Sequence, residues 1–464
     1  MEFIKSEKGR DLLCYNGYLY RFDKNSSWRC IECNTKKCRG RINLMDGQII
    51  SESEKEHNHK PDIAKIEARK AVQFLKTTAK HTELSTQAVL GAVSLQITEA
   101  VAGQLPAVDS MKKTVQRIRQ KELMAPAIPA SLKELIIPPD FTTTLDGKPF
   151  LLYDSYSQNQ EIPRILIFST TENLDMMVDC EHLYVDGTFS SSPSIFYQLY
   201  TIHGVQFSNV LPSVFALLPN KTEEIYIRLF KKILELRPEL KPISIMLDYE
   251  QATINAVKKV FPQTEINGCF FHFCQSIWRH IQNTGLAIKY RENSEFALNI
   301  KMLNALAYVP PESVITAFEN LLQTDFYIEH EAILTPLLDY FEDTWIGRIS
   351  RNRQRRSPKF SIKLWNCYGL IKNDIPRTNN AIEGWHNSFK SILNAVHPSI
   401  WKFIDALKKE EKLNRVRIHQ FVAGNEPKSK KKKYKDSGLR IKNICEQFHS
   451  RSTEQFLKGI AQNI

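Results

Sequence analysis

Between residues 150 and 260 the chain alternates short apolar runs with longer amphipathic stretches, and this alternation constrains the fold more than any other feature. The runs Phe150–Tyr153, Ile165–Phe168, His182–Asp186, Phe196–Val205, Val210–Leu217 and Ile243–Asp248 have strand length and are rich in aliphatic and aromatic residues. Helical periodicity interrupts them at Thr222–Leu236 and Glu250–Val260, so an α/β domain is predicted. Residues 284–345 then read as almost wholly helical, and a last helical region starts near Asn380.

The first sixty residues follow another pattern. Leu12, Leu13, Tyr15, Tyr18, Leu19, Tyr20 and Phe22 surround an Asn16-Gly17 turn, Trp28 follows, and Ile42–Leu44 precedes Asp46-Gly47, which predicts a small sheet of hairpins. A module of this size buries too little apolar surface to stand without a staple. Cys30, Cys38, His57 and His59 supply one, since two thiolates and two imidazoles complete a tetrahedral zinc set. In an extended segment the side chains of His57 and His59 share a face and reach one ion together. Cys33, in Cys30-x-x-Cys33, is a reserve ligand; the alternative reading packs the cysteines as small hydrophobes and leaves the histidines solvated. Nine cysteines in 464 residues are too sparse for a disulfide scaffold.

From Ile63 to Lys121 glycine and proline become scarce and helices are predicted, followed by a linker marked by Pro126, Pro129, Pro138 and Pro139. Lysine and arginine total 63 against 51 acids, a net charge of +12, which makes nucleic acid the first candidate partner. No run approaches eighteen apolar residues and Met1–Arg10 is too polar for a secretory signal, so a soluble intracellular chain is expected, with no membrane partner.

The basic residues gather in four places. Arg29, Lys36, Lys37, Arg39 and Arg41 surround the zinc ligands, and Lys112, Lys113, Arg117, Arg119 and Lys121 lie on the helix Ser110–Lys121, which has the length and charge to enter a major groove. Arg348, Arg351, Arg353, Arg355, Arg356 and Lys359 form a run without an acid, flanked by Trp345, Phe360, Trp365 and Tyr368 as rings for stacking on unpaired bases. Lys428–Lys435 reads as an unstructured nuclear-import patch, which places the protein in the nucleus. A solvated face competes for the finger cluster and the Arg348–Lys359 run, an amphipathic surface helix for Ser110–Lys121, and nonspecific DNA attraction for Lys428–Lys435.

Phosphodiester chemistry on DNA is run by pairs of divalent ions held by carboxylates from separate elements. Asp186 and Asp248 close apolar strands, where open α/β sheets bind ligands. Glu383 lies on a helix whose apolar stripe is Ile382, Trp385, Phe389 and Leu393, with Glu383 and His386 on its margin. Each acid alone also has a structural explanation: Asp186-Gly187 as a hairpin turn, Asp248 with Gln251 and Asn380 with Glu383 as capping boxes. His272 falls on the polar face of a helix whose core stripe is Phe270, Phe273, Ile277 and Ile281.

Two resemblances join these observations. Tyr18-Leu19-Tyr20, Trp28-Arg29-Cys30, Cys38-Arg39-Gly40-Arg41 and His57-Asn58-His59 resemble the FLYWCH zinc finger, which implies Cys30, Cys38, His57 and His59 as ligands of a structural Zn2+. Over residues 150–400 the chain resembles the DDE transposases of Mutator-like elements (MULE), through Leu183-Tyr184-Val185-Asp186-Gly187-Thr188-Phe189, Phe196–Gly204, Ala216–Thr222, Met246–Ala252, Gly268-Cys269-Phe270-Phe271-His272 and Arg377–His386. That resemblance implies a ribonuclease H-like fold with a helical insertion, Asp186, Asp248 and Glu383 as a catalytic triad holding Mg2+ or Mn2+, and His272 in support. It implies a DNA transposase that cleaves and joins strands at terminal inverted repeats as a homo-oligomer on double-stranded DNA, or a noncatalytic DNA-binding regulator adopted from one; a nuclease for RNA:DNA hybrids follows from fold analogy alone. The predicted organisation is a FLYWCH-type finger over 1–62, a helical DNA-end-binding region and linker over 63–135, the ribonuclease H-like domain over 136–400 with its insertion at 284–364, and a basic helical tail over 401–464.

Overall fold

A computed structural model of the chain describes residues 1–464 apart from 7–8, 46, 53–56, 83, 123–125, 158, 208 and 427–431. It divides into two compact units, Met1–Ala127 and Ile128–Ile464.

The first unit opens with six strands, β1 (Glu2–Lys5), β2 (Asp11–Tyr15), β3 (Tyr18–Lys24), β4 (Ser27–Cys30), β5 (Arg41–Met45) and β6 (Gln48–Glu52), each hydrogen-bonded to the next in chain order. Asn16 and Gly17 both take positive φ, 48° and 78°, the backbone that a two-residue turn between twisted antiparallel strands demands. One face of this sheet encloses a core of only five buried residues, Leu13, Tyr20, Cys30, Cys38 and Ile42. Four helices follow: α1 (Ile63–His81), α2 (Thr86–Ser94), α3 (Glu99–Ala102) and α4 (Val108–Glu122). Leu75 and Ala79 of α1, Val89, Leu90 and Val93 of α2, and Met111 and Val115 of α4 close a second core, while Ile66 of α1 packs with Ile4, Leu12 and Leu19 on the sheet.

The second unit is built on a seven-stranded sheet of β7 (Leu151–Asp154), β8 (Leu166–Phe168), β9 (His182–Thr188), β10 (Gln198–Gln206), β11 (Asn209–Leu218), β12 (Ser244–Leu247) and β13 (Glu265–Gly268), in the order β13-β12-β9-β10-β11-β8-β7. β9, β10 and β11 form an antiparallel meander, whereas β12 pairs parallel with β9 and β13 parallel with β12. Parallel neighbours require crossovers, and α6 (Glu223–Leu236) and α7 (Gln251–Val260) supply them; α5 (Thr171–Val178) precedes β9. Alternation along the strands sorts the side chains. Leu183, Val185, Tyr200, Ile202, Val214 and Ala216 join one core with Tyr226 and Phe230 of α6. In the cross-strand register Asp186 lies opposite Thr201, so it points to the other face.

Beyond α8 (Phe270–Asn283) comes the helical insertion, α9 (Ala287–Glu292), α10 (Ser294–Ala305), α11 (Val314–Leu322), α12 (Asp325–Glu329), α13 (Glu331–Phe341), α14 (Ile362–Trp365) and α15 (Tyr368–Lys372). Its core corrects one expectation. Trp345, Phe360 and Trp365 are buried, with Trp365 stacked on Phe273 of α8 at 5.0 Å, so these rings hold the insertion to the sheet domain and do not stack on bases.

The chain ends with α16 (Asn380–Leu393), α17 (Ile400–Val422), α18 (Lys432–Glu446) and α19 (Thr453–Ala461). Phe456, Leu457 and Ile460 of α19 and Ile441 and Cys445 of α18 belong to the main core. Lys428–Lys431 of the lysine block lie outside the described residues. Lys432–Lys435 open α18, so this half of the block is helical where disorder was expected, anchored by the buried face of its own helix. Among the described residues no helix is long and apolar enough to cross a membrane.

Candidate functional site

The four amino-terminal ligands converge. One donor atom from each of Cys30, Cys38, His57 and His59 lies within 4.8 Å of the others. Cys30 ends β4 and Cys38 follows a short turn, so both thiols enter the core from one side. His57 Nδ1 is 3.2 Å from Cys38 Sγ, and His59 Nε2 is 3.3 Å from Cys30 Sγ. The other nitrogen of each ring is occupied, His57 Nε2 by the Tyr20 hydroxyl at 2.8 Å and His59 Nδ1 by the Lys60 carbonyl at 3.2 Å, so the two rings turn opposite nitrogens to the thiols. Tyr18 stacks on His57 at 3.6 Å. Burial pushes the Cys30 thiol up to about 12, while burial and His59 hold His57 below its ordinary value and so neutral. A thiol so raised is inert without a cation, and zinc is the ion that this donor set fits. Cys33 stands outside the cluster; its sulfur accepts from Arg21 at 3.3 Å, so the reserve ligand is not used.

In the second unit the parallel register is decisive. Met246 pairs with Tyr184, so Asp186, two residues on in β9, and Asp248, just past the end of β12, lie at the same end of two neighbouring parallel strands. β9 runs through Asp186 to Thr188, so Asp186 is a strand residue and no hairpin turn. Gly187 follows because a Cβ there would stand 2.5 Å from Gln198 Oε1. Asp248 makes no cap, since α7 begins after Glu250 with no side-chain cap, and α16 likewise begins without one.

Asn379 donates instead to Asp248 at 3.3 Å and accepts from Cys269 at 3.0 Å. His272 stands between two acids, Nδ1 at 2.7 Å from Asp248 and Nε2 at 4.0 Å from Glu383, and His386 Nε2 lies 3.2 Å from Asp186. The stripe Ile382, Trp385, Phe389 and Leu393 is buried as its periodicity predicts, which turns Glu383 and His386 toward the aspartates. Burial, with the charge of Asp186, raises Asp248 against the pull of His272. Burial opposes the charged His272 ring, but Asp248 and Cys269 outweigh it and push the ring up to about 10. Asp248, Cys269 and His272 also form a group whose ligand atoms all lie within 4.8 Å.

Residues 3–59 match the FLYWCH zinc finger domain family, and residues 182–276 match the MULE transposase domain family. The chain carries both domains. The MULE match spans Asp186, Asp248, Cys269 and His272 and ends before Glu383. No curated protein matches the chain.

In the FLYWCH domain the sheet register aligns three arginines. Arg21 on β3 faces Arg29 on β4, which faces Arg41 on β5. Like charges directly opposite on one face repel, and among the described residues Asp23, 3.2 Å from Arg41, is the acid paired with them, so the row suits a polyanion. Arg39 is exposed nearby. Sequence reasoning missed Arg21, whose place in the row depends on strand pairing. On α4, Lys113 and Arg117 are exposed one turn apart opposite buried Met111 and Val115, while Lys112 pairs with Asp109 at 3.4 Å. Arg351, Arg353 and Arg356 are exposed in the MULE-bearing unit. Arg355 is not available to DNA: it binds Glu319 at 2.7 Å and Glu342 at 3.0 Å and so braces the insertion.

Proposed function

We propose that the protein is a Mutator-like DNA transposase, in which Asp186, Asp248 and Glu383 hold divalent ions for strand cleavage at terminal inverted repeats and for joining the cut ends to target DNA. The observation that carries this reading is the placement of Asp186 on β9 and of Asp248 just past the end of β12, the strand that pairs parallel with β9. The strand order, a three-stranded meander flanked by two parallel strands, supports a ribonuclease H-like reading of the domain.

The residues fit such ions. Asp186 lies near enough for its charge to raise Asp248, and like-charged carboxylates sharing a site repel. His386 Nε2 is buried 3.2 Å from Asp186 Oδ2 without hydrogen-bond geometry. A divalent cation relieves both conditions. When bound, Mg2+ or Mn2+ lowers the pKa of an attacking water or 3′-hydroxyl and stabilises the leaving oxygen.

The chain does the rest. The strands set Asp186 and Asp248, Asn379 and His272 orient the Asp248 carboxylate, and α16 brings Glu383 over them. The zinc finger, the arginine row and α4 grip the element ends, and the protein acts in the nucleus as a homo-oligomer on DNA.

Cleavage of a terminal-repeat duplex with Mg2+ or Mn2+ tests this. The wild type should nick the end, and Asp186→Asn, Asp248→Asn and Glu383→Gln should bind without cutting. Equal cutting by wild type and Asp186→Asn refutes the role of Asp186, and binding without cutting by the wild type favours a sequence-specific regulator adopted by the host.

A further inference from the structure

Helix α16 brings a second donor to the aspartates. His386 lies one turn beyond Glu383, and its Nε2 stands 3.2 Å from Asp186 Oδ2, the two side chains being only 11% and 12% exposed. The other Asp186 oxygen is held by the Gly187 amide at 2.8 Å, which leaves Oδ2 free to face the ring. Neither His386 nitrogen makes a hydrogen bond. The buried His203 is turned to Thr201, which its Nε2 meets at 3.0 Å, and its Nδ1 makes no hydrogen bond to His386. Trp385 packs against His386 with ring centroids 5.1 Å apart and confines it.

A buried ring nitrogen that faces a carboxylate without hydrogen-bond geometry is uncommon, and a bound ion between the two is one of the few reasons for it. The spacing points the same way. Two donors bound side by side to one octahedral ion at about 2.1 Å stand about 3 Å apart, close to the separation of His386 and Asp186.

We infer that His386 ligates, through Nε2, the metal ion held by Asp186, and that this position therefore takes a transition ion such as Mn2+, which accepts imidazole nitrogen more readily than Mg2+ does. The inference rests on the reading of Asp186 as a metal ligand. Mg2+ seeks oxygen and keeps its water, whereas an imidazole in the set favours a softer ion. The same helix thus contributes an oxygen donor toward Asp248 and a nitrogen donor toward Asp186.

The full-length, zinc-loaded protein should be titrated with MnCl2, with bound Mn2+ counted by loss of the free-ion EPR signal and nitrogen coupling read by pulsed EPR. Wild type should bind Mn2+ more tightly than Mg2+ in competition. His386→Ala should weaken Mn2+ at least about tenfold, with Mg2+ affinity unchanged. In a His272→Gln background the remaining nitrogen coupling should vanish when His386 is also replaced. If His386→Ala unfolds on a thermal melt, His386→Gln, which keeps most of the side-chain volume, carries the comparison. Unchanged Mn2+ affinity and nitrogen coupling in the His386 variants, with Mn2+ lost in Asp186→Asn, overturn this inference alone. Absence of Mn2+ binding by wild type overturns the reading of Asp186 and this inference with it.

Discussion

Replacing Gly40 by alanine is expected to empty the zinc site without touching a ligand. An alanine Cβ there would stand 2.5 Å from His57 Cε1, 2.8 Å from Nε2 and 2.9 Å from Nδ1. Comfortable contact begins at about 3.5 Å, so the ring must retreat by about 1 Å. Its surroundings do not yield, because Tyr18 stacks on its face at 3.6 Å and the Tyr20 hydroxyl holds Nε2 at 2.8 Å. A zinc–nitrogen bond tolerates about 0.2 Å, so one of the four bonds is lost. Zinc affinity should fall by at least about ten- to a hundredfold, which is about 1.4–2.8 kcal/mol. Two of the five buried residues of that core are the zinc cysteines, so metal loss passes directly to the fold of the module. Competition with a chromogenic chelator on the full-length protein reads the affinity, and limited proteolysis within residues 1–62 reads the unfolding. Gly91→Ala is the control: no atom lies within 4 Å of its Cβ position, and alanine there should retain zinc and stabilise α2 by about 0.5–1 kcal/mol. Wild-type zinc affinity in Gly40→Ala would refute both the steric reasoning and ligation by His57.

Other outcomes follow from the same geometry. Each of Arg21→Ala, Arg29→Ala and Arg41→Ala should reduce the salt dependence of DNA binding by about one counterion in fluorescence anisotropy, whereas Arg355→Ala should lower Tm and leave that slope intact; the reverse pattern would move the DNA-binding surface. With no divalent ion added, His272 carries a raised pKa of about 10, so the stability it adds is fully present below its unfolded value of about 6.5 and is lost as pH rises through 10. The Tm gap between wild type and His272→Asn should therefore close from pH 6 to pH 10, and a constant gap would remove the Asp248 contact from the argument. Glu410 is buried on α17 and accepts from Trp385 Nε1 at 2.9 Å and Arg417 at 3.2 Å; Glu410→Ala should cost about 1–3 kcal/mol by calorimetry, and a neutral effect would show that Trp385 needs no such partner.

How far the sequence reveals this molecule depends on the range of each interaction. The strands from β7 to β12 are legible because apolar runs are local, and the buried stripe of α16 follows from its 3.6-residue period. β13 escapes because Glu265-Ile266-Asn267-Gly268 has one aliphatic side chain and becomes a strand only by pairing with β12. The zinc ligands could be named from residue type and spacing, but not the choice of nitrogen, which Tyr20 and the Lys60 carbonyl impose. Asp186 and Asp248 could be nominated as strand ends. That they stand level depends on a register between segments 62 residues apart. Trp345 and Trp365 were misplaced because adjacent arginines suggest a surface, while the core that swallows them is assembled from α8 and the insertion.

The aspartates and their companions are anchored in different ways. Asp186 is pinned in the ladder between β9 and β10 and Asp248 follows the last residue of β12, while Glu383 and His386 ride on one helix, which Trp385 fastens through Phe215 of the sheet and Glu410 of α17. A shift of that helix withdraws an oxygen and a nitrogen together. Both donors thereby move as one, and the tryptophan bolt is where a partner or a mutation gains leverage over them.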